Sequence, residues 1–306
     1  MTSLELAEAV PLGYAMVSRV ARDAGVRALA IKGPALELQG LRGGHVSSDV
    51  DIWVDPATCE DFRRRMASLG WIVRIPPTSA QILPLHSVAV AHERWPCEVD
   101  IHDRYPGFFA DPQAVFEVLW QRRHSVHLAG ASLWVPDRLA HALVAALHSL
   151  RDSRSADLEM LIRVLQDLSD AEKRELQELS ERTGSSAVLA EVLTDLGIES
   201  THLGDRTLPL EWDLLTHSSG VKSVPALFEL SRAPLRRWPR LILRSLVLTE
   251  AEIREKQPTA RPGSWGLTVA RLRRVGWGMK DLPLAIRLVL RHRRRPPIDG
   301  RGERHA

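Results

Sequence analysis

Cysteine is nearly missing from this chain: Cys59 and Cys97 are the only two in 306 residues. Two thiols are too few for a disulfide framework and lack the paired spacing of a structural zinc site, so a reducing, cytoplasmic setting is expected. Long apolar runs are absent as well. None reaches the roughly 18 residues of a membrane span, and the opening residues carry Glu5 and Glu8 with no basic stretch before an apolar one, unlike a secretory leader. Glycine and proline, 19 of each, follow no period, which excludes collagen-like and low-complexity chains. No repeat of fixed length is visible. What is present is 44% hydrophobic and 26% charged residues, enough to build a substantial core. The length fits one large domain or two modules that share a core.

The net charge of +3 hides a polarity along the chain. From Arg232 to the end there are 19 Lys or Arg against 6 Asp or Glu, whereas the preceding part holds 22 against 32. Such a distribution suits a nucleic-acid or anionic-lipid surface, or a basic part that docks on an acidic one.

Periodicity divides the chain. A helix is predicted over 4–24, then a short apolar strand over 28–31, the turn Lys32-Gly33-Pro34 and a short helix to residue 39. Val50, Ile52 and Val54 alternate with Asp49, Asp51 and Trp53, the period of a half-buried strand, which puts both aspartates on one face. Asp55 as N-cap and Pro56 at the first helical position predict a helix over 56–69. Further strands are predicted over 71–75, 86–92 and 97–103, the last two as a hairpin through Arg94-Trp95-Pro96. On the last of them Glu98, Asp100 and His102 share a face. A capped helix over 111–123 and one or two short strands within 125–135 follow. From Asp137 the helical period dominates, with helices predicted over 138–150, 156–168, 171–183, 186–196, 208–218, 235–249, 267–280 and 284–293. The expected fold class is therefore α+β. A mixed-sheet module with helices over 1–135 precedes a helical module over 136–295 and a flexible tail over 296–306.

Three features of the first module converge on phosphate chemistry. Hard divalent cations take oxygen ligands and leave positions for water and phosphate, and carboxylates on neighbouring strands supply such ligands. Asp49, Asp51 and Asp100 are the candidate metal ligands for Mg²⁺, or Mn²⁺ in its place, in a displacement at phosphorus. The turn at Lys32 and Gly33 is the candidate phosphate cradle, with backbone N–H groups and the Lys32 ammonium facing the triphosphate. A β-carbon at Gly33 is expected to obstruct that approach and to spare the fold.

The segments Ile31-Lys32-Gly33-Pro34-Ala35-Leu36, Ser48-Asp49-Val50-Asp51-Ile52-Trp53-Val54 and Val99-Asp100-Ile101-His102 resemble, in order and spacing, the signature blocks of the bacterial uncharacterised nucleotidyltransferases. That family lies within the polymerase-β-type nucleotidyltransferase superfamily. The resemblance extends through 136–168, where the family has a helix bearing a histidine, here His148. It implies the superfamily's mixed sheet in the first module and Mg²⁺-dependent transfer of a nucleoside monophosphate from an NTP, ATP foremost, to an acceptor. Asp49, Asp51 and Asp100 would be both catalytic and metal-binding, Lys32, Gly33 and Ser48 nucleotide-binding, and His45 and His102 supporting. Two positions depart from the pattern. Pro34 stands where many superfamily members have serine, and His45 where the branch carries an arginine, with Arg42 and Arg27 as the nearest basic substitutes.

Plainer readings stand beside these. An Asp-apolar-Asp triplet also occurs on solvated edge strands. Lys32 can equally be a solvated strand end, and His102 a polar residue at the rim. His141 and His148 lie on one helix face and are expected to be hydrogen-bonded buried histidines, with no metal. Trp53, Trp71, Trp95, Trp120 and Trp134 are expected to anchor the core, and Cys59 to fill it. Rival functions are nucleotide addition to RNA, with the basic C-terminal part as footprint, and a noncatalytic module that binds a nucleotide or a partner. Peripheral attachment to anionic lipid through 235–249 or 284–295 is a third. Clustered carboxylates are costly without a cation, which favours the enzyme.

Overall fold

The computed structural model describes residues 4–74, 87–152 and 154–199, with the isolated positions Trp212, Thr216 and Arg236. All but those three lie in one compact unit, Met1–Ile75 with Leu85–Leu208. Helix α1 (Leu6–Asp23) leads into strand β1 (Ala28–Ile31), helix α2 (Gly33–Leu38), strand β2 (Asp49–Val54) and helix α3 (Cys59–Ser68). Strands β3 (Ile72–Val73), β4 (Ser87–Ala91) and β5 (Glu98–His102) precede helix α4 (Pro112–Gln121) and the pair β6 (Arg123–Leu128) and β7 (Ala131–Pro136). Four helices follow: α5 (Arg138–Arg151), α6 (Ser155–Leu165), α7 (Asp170–Arg182) and α8 (Ala190–Asp195). The α+β class and the switch to helices after β7 match the sequence pattern. The helices predicted over 208–218, 235–249, 267–280 and 284–293, and the tail, lie outside the described residues apart from the isolated positions. Among the described residues no helix is long and apolar enough to cross a membrane.

Five strands form a mixed sheet in the order β1-β2-β5-β4-β3. Its β2–β5 pair is parallel and the other pairs are antiparallel, β4–β5 being the predicted hairpin. Val50, Ile52 and Val54 of β2 join Val99 and Ile101 of β5, Tyr14 and Val17 of α1, and Phe62 and Met66 of α3 in one buried cluster. Cys59 belongs to the same cluster, as expected of a small core residue.

The alternation in β2 predicts a strand with one open face, and here the structure differs. Asp51 and Trp53 are buried like Ile52 between them, Asp51 beneath Lys32 and His102 and Trp53 beneath residues 103–110. Trp53 stacks against Tyr105 and Phe108, with ring centroids 5.8 and 5.7 Å apart. The roof is anchored from far along the chain: the backbone N–H groups of Phe109 and Ala110 donate to the Thr183 carbonyl, just past α7, at 3.1 and 3.2 Å. A β-carbon on Gly184 would lie 2.7 Å from the Ala110 nitrogen, so the two segments touch at a position only glycine fills.

Caps decide where several helices begin. Asp111 accepts from the N–H groups of Gln113 and Ala114 ahead of Pro112, and Ser169 with Glu172 closes a capping box on α7. Asp55 does not act as predicted. Its carboxylate binds Arg27 at 2.6 Å and accepts from Ala57 N–H, so a turn over 56–58 intervenes and α3 starts only at Cys59. Among the described residues, the strand predicted over 71–75 comprises Ile72–Val73 at the sheet edge.

One side chain ties α1 to the end of the sheet that bears the aspartates. The Tyr14 hydroxyl donates to the Ile31 carbonyl at 2.7 Å and accepts from Asp51 N–H at 3.1 Å. Tyr14→Phe leaves both groups buried without that partner, so unfolding in urea should show a loss of about 1–3 kcal/mol.

Candidate active site

Parallel pairing of β2 with β5 sets Asp51 opposite Asp100, Trp53 opposite His102 and Asp49 opposite Glu98. Side chains alternate along a strand, so Asp49, Asp51, Asp100 and His102 share one face. β1 pairs Ile31 with Asp51, and the chain therefore leaves that strand at Lys32 beside the same carboxylate. Lys32 Nζ lies 2.5 Å from Asp51 Oδ1, and His102 Nε2 lies 2.9 Å from the same oxygen. One ligand atom from each of Asp51, Asp100 and His102 falls within 4.8 Å of the others, a group able to hold a metal ion. Asp49 stays outside this compact group, half-buried, with its carboxylate 3.4 Å from the Ser48 hydroxyl.

These residues form the floor of a cleft with about 190 Å³ of room for solvent. Lys32, Gly33, His45, Ser48, Asp49, Asp51 and Asp100 all line it. His102 does not reach the cleft surface and lies fully buried behind Asp51. The opposite wall comes from the junction of α5 and α6: His148, Ser149, Arg151, Asp152, Arg154 and Asp157. Sequence reasoning assigns no role to Arg151 or Arg154, although the run Arg151-Asp152-Ser153-Arg154 at a helix end is a visible cluster of charge. Of the two basic substitutes for the missing arginine, Arg42 lines the cleft. Arg27 does not serve, because Asp55 and Glu117 hold it at 2.6 and 2.5 Å beside the Phe116 and Trp120 rings.

The charges are strongly coupled. Burial alone would raise the Asp51 carboxyl, but the Lys32 ammonium and the His102 hydrogen bond outweigh it and hold the group far below the carboxylate range. Burial likewise disfavours the Lys32 ammonium, and the Asp51 charge more than offsets that. His102 is pushed down by burial. Burial and then repulsion by Asp51 raise Asp49, and the same two causes raise Asp100 to about 6. The floor thus sets a carboxyl held down by a cation beside one pushed up by burial and repulsion.

Gly33 adopts a φ of +46°, and a β-carbon there would meet the Tyr14 hydroxyl at 2.9 Å and Ser47 Oγ at 3.1 Å. Substitution is therefore strained and disturbs the Tyr14 bridge, contrary to the expectation that it spares the fold. His141 is buried and hydrogen-bonded as expected.

A strand-turn-helix unit thus lies next to two register-matched aspartates, with arginines across the cleft. The sequence matches the family described as uncharacterised nucleotidyltransferase over residues 14–194, and the chain belongs to that family. The matched span contains the whole cleft floor and its α5–α6 wall. No curated protein sequence is matched significantly. Among solved structures, the chain is similar to a lincosamide antibiotic adenylyltransferase bound to lincomycin, with 14% identity and a TM-score of 0.35, covering 49% of this chain and 94% of that one. An antigenic nucleotidyltransferase-like protein from Paracoccidioides brasiliensis is 11% identical, with a TM-score of 0.37, over 63% of this chain and 95% of that one. A tRNA nucleotidyltransferase complexed with a primer tRNA and an ATP analogue is 13% identical, with a TM-score of 0.26, over 91% and 98%.

The raised Asp100 carboxyl has a consequence for stability. Because it holds its proton more tightly in the folded chain, it favours folding most below its ordinary value of 3.8, and that contribution is lost as pH rises toward about 6. In metal-free protein, Asp100→Asn should therefore raise stability at pH 8 by about 1–2 kcal/mol, allowing for partial exposure, and by much less at pH 4. Denaturant titrations of both proteins at the two pH values measure the difference.

Proposed function

We propose that the protein is a Mg²⁺-dependent nucleotidyltransferase that moves a nucleoside monophosphate from an NTP, ATP foremost, to a hydroxyl or similar acceptor on a small molecule, peptide or protein, releasing pyrophosphate. The observation that carries this reading is the register match of Asp51 with Asp100 on parallel strands, beside Lys32 and inside the span matched by the family. The donor set suits a hard cation: two carboxylates of the compact group, with Asp49 as a further oxygen donor on the same face. Mg²⁺ bound by these aspartates would neutralise charge on the transferred phosphate and favour an in-line geometry.

The chain's own residues account for the rest. Lys32, already at Asp51 Oδ1, is placed to exchange that carboxylate for a phosphate oxygen. Across the cleft, Arg151 and Arg154, now paired with Asp152 and, for Arg154, also with Asp157, are the cations that would turn to the remaining phosphates. As the acceptor oxygen bonds to the α-phosphorus, the bond to pyrophosphate breaks and the acceptor's proton leaves to solvent; Asp100, level with Asp51 on the neighbouring strand, would complete the ligand set that lowers the pKa of the acceptor hydroxyl. His102 supports the reaction by fixing the orientation of Asp51 from behind. Ser48 and His45, both exposed, stand at the mouth. The RNA and lipid alternatives rest on the basic segments after residue 231, which lie outside the described residues apart from Arg236.

Pyrophosphate release, measured with each NTP and Mg²⁺ against a panel of acceptors, tests the reading. Asp51→Asn is expected to lower the rate by about 10³-fold or more, on the order of 4 kcal/mol of barrier. Asp100→Asn should keep Mg²⁺-ATP binding within about tenfold and strike kcat far harder, as befits a group that acts in the transition state. A wild-type protein that binds Mg²⁺-NTP without turnover, and whose cellular phenotype survives Asp100→Asn, would instead identify a noncatalytic module.

A further inference from the structure

Lys32 combines two features that call for an explanation. Its backbone has φ 59° and ψ −160°, a region that non-glycine residues rarely occupy and that persists only where the surroundings enforce it. Its side chain also makes the shortest contact of the cleft floor, to Asp51. The constraint on the backbone comes from α5. Lys32 N–H donates to His141 Nε2 at 3.0 Å, within the buried interior. The other ring nitrogen, His141 Nδ1, is 2.7 Å from Gln39 Oε1, and Gln39 Nε2 in turn donates to the Pro136 carbonyl at 2.7 Å.

We infer that His141 is a positioning residue for the phosphate-binding lysine: its Nε2 accepts the Lys32 amide proton, keeps the turn in its strained conformation and so delivers the ammonium to Asp51. The inference rests on the nucleotide-transfer reading for what Lys32 then does. The chain of hydrogen bonds has one consistent polarity. Nε2 accepts, so the ring proton sits on Nδ1 and donates to Gln39, whose amide orientation is set by Pro136. Burial lowers His141 to about 3, which leaves the ring neutral at working pH and Nε2 free to accept throughout. His141 touches neither the carboxylates nor the cleft surface, and it acts only through the Lys32 backbone. Because the ends of β7 and α5 fix Gln39 and His141, the position of the lysine depends on elements a hundred residues away in sequence.

Three variants and one spectrum test this. In folded His141→Leu the acceptor is gone, and the KM or dissociation constant for Mg²⁺-ATP should rise about tenfold or more while kcat changes less; His141→Gln, whose amide oxygen can replace Nε2, should stay within about threefold of wild type. Should His141→Leu fail to fold, His141→Asn keeps a polar group toward Gln39 but withdraws the acceptor from Lys32, and it should behave as the leucine variant was meant to. In wild type, imidazole ¹⁵N–¹H correlation spectra should report a neutral ring protonated on Nδ1 from pH 6 to pH 8. A ring protonated on Nε2, or a folded Leu or Asn variant that binds Mg²⁺-ATP within about twofold of wild type, would overturn the assignment. So would a glutamine variant as impaired as the leucine one. If wild type binds no NTP at all, the nucleotide reading fails, whereas the tautomer still decides whether His141 holds the turn.

Discussion

Two carboxylates placed side by side on adjacent strands repel each other, and a buried pair of this kind survives only with a counter-charge at hand. Here the counter-charge is the Lys32 ammonium, seated on Asp51 and over the Tyr105 ring. Much of the surrounding architecture serves that contact. The parallel pairing of β2 and β5 brings the aspartates level. The Tyr14 hydroxyl locks the end of β1 to β2 so that the turn departs beside Asp51. His102 closes the remaining approach to the same oxygen. The same carboxylate, with Asp100 and His102, forms a group able to hold a metal ion.

The site's floor was legible in the sequence because it is local and periodic. Asp49, Asp51 and Asp100 sit on strands whose alternation announces which face each occupies, and Lys32-Gly33 follows a strand short enough to delimit. Those signals follow from backbone geometry over a few residues. The α5–α6 wall was not legible in the same way. Arg151 and Arg154 acquire meaning only when a helix from beyond β7 is folded across the sheet, and no period of two or of 3.6 records that juxtaposition. Arg27 illustrates the converse: near in sequence to the turn, it sits at the far end of β1, where Asp55 and Glu117 claim it. Asp55 was a sound cap by residue type, and the tertiary ion pair overrode the local preference.

His141 was readable as a buried, hydrogen-bonded histidine, yet its partner was not, because a backbone N–H carries no residue signature. Composition offered a different hint. The chain has two tyrosines, and both Tyr14 and Tyr105 stand against the cluster around Asp51. Tyrosine combines an apolar ring with a polar end, which suits the boundary between a packed core and a charged cleft.

The anchoring of the roof at Thr183 bears on how this family can diversify. Residues 103–110 cover Trp53, and their two backbone bonds reach across to the end of α7. Any exchange of the helical segment, by recombination or by design, must therefore carry along a carbonyl at that point and a neighbour without a β-carbon, as Gly184 is. The smallest transplantable piece that keeps Trp53 covered thus runs past Gly184, although Asp49, Asp51 and Asp100 on the cleft floor are all encoded before residue 101.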